Sequence, residues 1–153
     1  MDAERLSALE RELPAAAPPG ANYVTYVRSG GLVYLSGQLC KWNGERRYIG
    51  KLGREWSVDE GRAAARLCAL NLLAQLREAV EGDWSRVVRC VRVAGFVNAT
   101  DDFTAHSRVI DGASDVMVDA FGDAGRHARM AVGVNGLPYG AAVEVEAIFE
   151  VRG

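Results

Sequence analysis

Histidine, cysteine and proline are all scarce in this chain, with two, three and four residues among 153. The cysteines, Cys40, Cys68 and Cys90, are odd in number and far apart. With no Cys-x-x-Cys and no cysteine–histidine cluster, neither a disulfide framework nor a zinc site is expected. Set among apolar neighbours, they read as small buried hydrophobes. No apolar run approaches the roughly 20 residues that a membrane-spanning helix needs. The first twenty residues carry Asp2, Glu4, Glu10 and Glu12 and no apolar leader core, so no secretory signal and a cytoplasmic setting are expected. An excess of positive charge is missing too. Lys and Arg total 18 against 20 Asp and Glu, for a net charge of -2 and a pI near 5.7, the opposite of a domain that grips nucleic acid through phosphates. Arg86, Arg89 and Arg92 recur every third residue along an apparent strand, so the three do not share one face and read as scattered surface charges. There is no Gly-x-Ser-x-Gly and no cysteine beside a plausible base. The glycines of "SGGLVYLSG" lack phosphate-loop spacing and a following lysine.

What is present fits one soluble α+β domain. Residues 2–12 suit a short amphipathic helix, and "PAAAPPG" (14–20) a stiff linker, so 1–20 reads as an N-terminal helix and linker before a domain spanning 21–153. "NYVTYVR" (22–28) and "LVYLSGQL" (32–39) read as strands of a hairpin turning at Ser29-Gly30-Gly31. Residues 41–56 read as a loop carrying Trp42 and Trp56. Ser57-Val58-Asp59-Glu60 matches a capping box, and apolar residues at 65, 68, 72, 73, 76 and 80 give the helix one buried face. "VVRCVRVAGFV" (87–97) is a third strand. Asp101 and Asp102 are expected to start a second helix, with Val109, Ile110, Ala113, Met117, Ala120 and Phe121 on its apolar face. "HARMAVGV" and "AVEVEAIFEV" (142–151) are the last strands. The order is β-β-α-β-α-β-β. Two helices cover only one face of five strands, and Val24, Tyr26, Val91 and Val93 suggest that the other face is also apolar. A further copy of the chain is its expected cover, with any pocket lying between subunits.

The strand "RHARMAVGV" (126–134) is unusual. Alternation places His127, Arg129, Ala131 and Gly133 on one face, a cation and an imidazole above very small side chains. The closing strand carries Glu144, Glu146 and Glu150 on one face and apolar residues on the other. Two readings stay open. Arg129 forms a cross-strand ion pair with Glu144 or Glu146, or its fork of donors takes a small ligand's carboxylate in the space above that floor. The second reading expects the guanidinium to be unneutralised by its own protomer, at a seam between chains.

Three stretches resemble the RidA (YjgF) family of reactive-intermediate deaminases: "GLVYLSGQL" (31–39), "VNATDDF" (97–103) and "ARMAVGVNGLPYGAAVEVEAIFEV" (128–151). The last sets an arginine, a Leu-Pro turn and Glu-x-Glu at characteristic spacings, and the resemblance spans roughly 21–152. It implies a chorismate-mutase-like fold, a homotrimer with ligand clefts between subunits, and hydrolysis of small 2-imino acids or enamines to 2-keto acids and ammonia without metal or cofactor. By position, Arg129 corresponds to the arginine that clamps the substrate carboxylate, and Glu144 to the acid that orients or activates water. Tyr23 and Gly37 correspond to groups that a neighbouring subunit contributes. Ala131 stands where many members have cysteine, and Ser107 where asparagine is frequent. With His127 these residues complete the candidate binding set. The segment from Phe103 to Arg129 is about five residues longer than in the familiar deaminases. A non-catalytic module binding small carboxylates is the main rival. Endoribonuclease activity, a label often attached to the family, is disfavoured by the acidic pI and the absence of a histidine pair.

Overall fold

The computed structural model describes residues 3–153. Seven strands and three helices occur in the order α1 (Ala3–Glu10), β1 (Tyr26–Ser29), β2 (Leu32–Leu39), β3 (Lys41–Trp42), β4 (Glu45–Arg46), α2 (Val58–Ala79), β5 (Val87–Asn98), α3 (His106–Phe121), β6 (Ala128–Val134) and β7 (Val143–Val151). Five strands form a mixed sheet in the order β1-β2-β7-β5-β6, in which only β5 and β6 run parallel. The α+β architecture is the one expected. β3 and β4 form a separate hairpin inside the stretch expected to be loop. Its turn residues Asn43 and Gly44 both take positive φ (47° and 85°), as an Asn-Gly hairpin turn requires.

α2 and α3 lie on one face of the sheet, where Phe149, Val93, Val97 and Val33 meet Leu72, Leu73, Leu76, Ile110 and Met117. Each such aliphatic or aromatic side chain contributes about 1.5–3 kcal/mol when fully buried. α2 begins where its capping box predicts. The Ser57 hydroxyl accepts from the Glu60 amide at 3.3 Å, and the Glu60 carboxylate accepts from the Ser57 amide at 2.8 Å. α3 begins at His106, later than Asp101 and Asp102, because the Asp102 carboxylate closes a local turn by accepting from the Thr100 hydroxyl at 2.7 Å. β1 likewise starts at Tyr26 rather than residue 22, since Tyr23 belongs to a turn in which its amide donates to the Ala21 carbonyl.

Residues 3–20 pack against the rest of the fold. Leu6 and Leu9 of α1 are buried in the same core, and Glu10 and Glu12 pair with Arg77 and Arg66 of α2. The proline-rich stretch is strapped down as well: Gln75 Nε2 donates to the Ala17 carbonyl at 2.7 Å, and the Ala15 amide donates to Asn43 Oδ1 at 2.8 Å.

The sheet face away from the helices is only partly apolar, since Glu144, Glu146 and Arg92 share it, and its apolar residues are not those expected. Tyr26 and Val93 turn toward the helices, as their partners Leu35 and Ala147 do. The open face carries Val27 (51% exposed) and Tyr34 (44% exposed), with Ile148, Phe96, Met130 and Val132 beside them in register. Bulges in β5 shift the alternation on which the sequence reading relied.

α3 sits unusually close to its neighbours. A Cβ on Gly112 would overlap the Arg62 carbonyl oxygen of α2, which is backbone and cannot turn aside. Gly112→Ala is therefore expected to destabilise the fold by about 1–3 kcal/mol, read as a lower urea midpoint at unchanged slope.

Candidate functional site

The seven candidate residues fall into two groups on opposite faces of the sheet. Arg129 is in register with Val93, and Glu144 with Phe96, three residues further along β5. Side chains alternate along a strand, so an odd separation puts the two on different faces. Arg129, Ala131, Ser107 and His127 gather under α3; Glu144, Gly37 and Tyr23 gather on the open face. No cross-strand pair between Arg129 and Glu144 or Glu146 exists within one chain.

On the α3 side the small floor proves to be the seat of a helix. A Cβ on Gly133 would come within 2.5 Å of the His106 ring, and one on the facing Gly95 would strike Ile110. Arg129 therefore meets α3 itself. Nη1 donates to Asp111 Oδ1 at 2.8 Å and to the Ser114 hydroxyl at 3.1 Å; Nη2 donates to the Ser107 hydroxyl at 2.6 Å and to the Ser107 carbonyl at 3.2 Å. The expectation of a guanidinium unneutralised by its own protomer is corrected: Asp111 pairs with it, and of the five N–H groups only Nε–H is uncommitted. The pair is asymmetric in exposure, 20% for the Arg129 side chain and 43% for Asp111. Asp111 and Ser114 were missed in the sequence. They follow Ser107 at i+4 and i+7, a polar stripe beside the apolar stripe of the same helix.

His127 supports this network. Its Nδ1 lies 2.6 Å from the Gly125 carbonyl, which can only accept, so Nδ1 carries the proton. Nε2 is then the acceptor for the Ser114 hydroxyl at 2.9 Å, and Ser114 in turn accepts from Arg129. Burial, and secondarily the Arg129 charge, hold the imidazole below its ordinary value of 6.5, against the opposing pull of the Gly125 carbonyl. Ala131 is half-buried on the same face. β6 forms the sheet's edge, so half of its backbone groups have no ladder partner.

The open-face group lines a cavity of about 320 Å³, with Glu144, Gly37 and Tyr23 in its wall and Lys41, Arg46 and Tyr139 around them. Gly37 leaves the space that the Glu144 carboxylate occupies, since a Cβ there would overlap Glu144 Oε1 and turn that side chain aside. Glu144 makes no ion pair among the described residues. Burial, and then the neighbouring Glu146 carboxylate, raise its carboxyl above the ordinary 4.5. The Tyr23 hydroxyl accepts from the Gly20 amide at 3.2 Å, leaving its proton free to donate. The strapped residues Ala17, Pro18 and Gly20 form one wall. Trp42 and Trp56 do not line this cavity. Trp56 packs edge-on against Tyr48 and donates to the Ile49 carbonyl. Among the described residues no three His, Cys, Asp or Glu side chains gather as a metal site needs, and no helix is long and apolar enough to cross a membrane.

The lowered value of His127 has a pH consequence with a definite sign. The neutral imidazole is favoured by folding, so its stabilisation is present above about pH 6.5 and is lost as the pH falls from there through the depressed folded value. Unfolding free energies measured by urea titration between about pH 5 and 8 should decline more steeply toward acid in the native chain than in His127→Gln.

The match to known proteins is extensive. The family model described as YjgF/chorismate mutase-like, putative endoribonuclease, matches residues 3–150, α1 included. "Protein TCP17" of Trypanosoma cruzi is 49% identical over 151 residues, covering 98% of this chain and 94% of that one. The crystal structure of Atu1372, a protein of unknown function from Agrobacterium tumefaciens, superposes with a TM-score of 0.90 at 40% identity, over 97% of this chain and 92% of that one. RidA from an Antarctic Psychrobacter superposes with a TM-score of 0.58 at 27% identity, over 89% and 94%. The chain belongs to the YjgF/chorismate-mutase-like family, on a branch that departs from the RidA pattern.

Proposed function

We propose that this chain hydrolyses small 2-imino acids to 2-keto acids and ammonia, in clefts formed where three copies meet. The observation that carries the reading is Glu144: a carboxylate without a cation partner, seated against Gly37 in a cavity of about 320 Å³ and beside a phenol with a free proton. Such a group suits a general base, whose value should lie nearer neutrality than an ordinary carboxylate's. The two half-sites support a trimer. They lie on opposite faces of one sheet, and the exposed Val27 and Tyr34 of the open face and the unpaired β6 edge both call for a second copy. A neighbour's Arg129 edge brought against the Glu144 cavity unites the two halves.

The chemistry then follows. Arg129 holds the carboxylate of the imino acid, fixing the electrophilic carbon, an orientation effect. Glu144 takes a proton from water as its oxygen bonds to that carbon and the C=N π electrons move to nitrogen. The same carboxyl returns the proton to nitrogen. The C–N bond breaks as the hydroxyl proton passes by way of the same carboxylate to the departing nitrogen, releasing ammonia and the keto acid. The Arg129–Asp111 pair is compatible with this sequence on magnitudes. A pair with one exposed partner contributes at most about 1 kcal/mol, whereas charge-assisted bonds in a closed cleft contribute about 1.5–3 kcal/mol. A substrate carboxylate displaces Asp111.

One observation favours a second reading, a non-catalytic module: all four terminal N–H groups of Arg129 are already engaged. The test is the rate of keto-acid formation from freshly generated 2-iminopropionate. Glu144→Gln should lower kcat about 100- to 10,000-fold, and Arg129→Ala should abolish turnover while leaving the assembly intact. If native chain and Glu144→Gln are equally inert, the catalytic reading fails. Asp111→Asn should lower KM by up to about fivefold, the equivalent of about 1 kcal/mol; a raised KM would instead make Asp111 a support of Arg129.

A further inference from the structure

We infer that the Glu144 cavity selects substrates whose side chain ends in a second carboxylate, that is, small 2-imino dicarboxylic acids. The inference rests on the reading of this cavity as the reacting site, and it comes from Lys41 and Arg46. The two are direct cross-strand partners in the β3–β4 hairpin, and both line the cavity that holds Glu144. Like charges directly opposite one another destabilise a ladder. No ion pair among the described residues offsets that repulsion. Among the described residues neither cation is ion-paired with any carboxylate, Glu144 included, although Arg47, the next residue, pairs with Glu45 at 3.6 Å. Two uncompensated cations beside a cavity, in a chain of net charge -2, leave a place for an anion from outside.

The geometry of Arg46 adds a second, independent observation. Its guanidinium lies 3.5 Å from the ring centroid of Tyr139, a cation–π contact that holds the planar group in place. Tyr139 takes a left-handed backbone conformation, φ 58° and ψ 16°, which is costly for a residue with a side chain. The ring is 63% exposed, so burial does not explain the strain. Strained backbone at a cavity rim is a feature of ligand clamps. The turn itself is pinned, since the Gly50 amide donates to the Gly140 carbonyl at 2.8 Å. In this arrangement Arg129 of the neighbouring half-site would hold the carboxylate next to the imine, and Arg46 and Lys41 would hold the one at the far end. The volume, about 320 Å³, is at the small end for ligand pockets and suits an acid of four or five carbons.

The experiment compares kcat/KM for 2-iminosuccinate and 2-iminoglutarate, generated in place by amino-acid oxidation, with that for 2-iminopropionate. The native chain should favour a dicarboxylic imine about tenfold or more. Arg46→Ala and Tyr139→Gly should each reduce that ratio about tenfold, whereas Tyr139→Phe, which keeps the ring, should preserve it. Calorimetric titration of Glu144→Gln with 2-oxoglutarate, oxaloacetate and pyruvate reads the same preference without turnover. If no imine is hydrolysed but the dicarboxylates bind more tightly than pyruvate in an Arg46-dependent way, the deaminase reading falls and the side-chain selectivity stands. If pyruvate and 2-iminopropionate are preferred, or if Arg46→Ala weakens both substrate classes equally, the inference is overturned, the latter result making Arg46 an anchor for the common carboxylate.

Discussion

The close approach of α3 to the sheet and to α2 governs the rest of this molecule. Three glycines permit it: Gly112 against the backbone of α2, Gly95 beneath Ile110 and Gly133 beneath His106. With α3 that near, a long cationic side chain on the α3-facing side of β6 must run along the helix. Arg129 does so, and the polar residues spaced along α3 receive it. A strand with small side chains and one arginine is thus explained first by helix docking. The chemistry proposed for Arg129 has to operate through a network already formed within the chain.

That network joins the two histidine-bearing elements into one unit. The Gly125 carbonyl sets the tautomer of His127, His127 accepts from Ser114, and Ser114 accepts from Arg129. The short turn at 122–125 that follows α3 supplies this carbonyl. A hydrogen-bonded chain of this kind fixes the angle of the guanidinium more tightly than an ion pair alone, because each donor has one acceptor. On the opposite face, Glu144 is positioned by the absence of a side chain at Gly37, without any charged partner. One half-site is therefore shaped by polar satisfaction and the other by open space.

The N-terminal segment and the β3–β4 hairpin change how that second half-site is enclosed. Prolines and alanines at 14–18 suggest a spacer, yet Gln75 and Asn43 hold the segment against the fold through its backbone. Such bonds do not depend on the identity of the strapped residues, so a low-complexity composition carries no sign of them. The hairpin was more legible. Asn43-Gly44 is a strong turn signal, hidden only because the strands on each side have two residues apiece. Its cations and the turn at Tyr139 together give the cavity a charged rim.

Local chemistry and period determined much of this protein. The capping box at Ser57, the apolar stripes of α2 and α3, the alternation of β7 and the small, scattered set of cysteines are properties of neighbouring residues, and they were readable without coordinates. So was the resemblance to a family, which the match over residues 3–150 bears out. Which of these residues meet was decided only in three dimensions. Strand order and register put Arg129 and Glu144 on opposite faces; Val93, beyond the bulges in β5, and Tyr26 in β1 both turn toward the helices, away from the face assigned to them. Asp111 reached Arg129 from another element altogether. The physical reason is the same in each case: periodicity records which side of its own element a residue occupies, whereas pairing of faces depends on contacts between elements far apart in the chain.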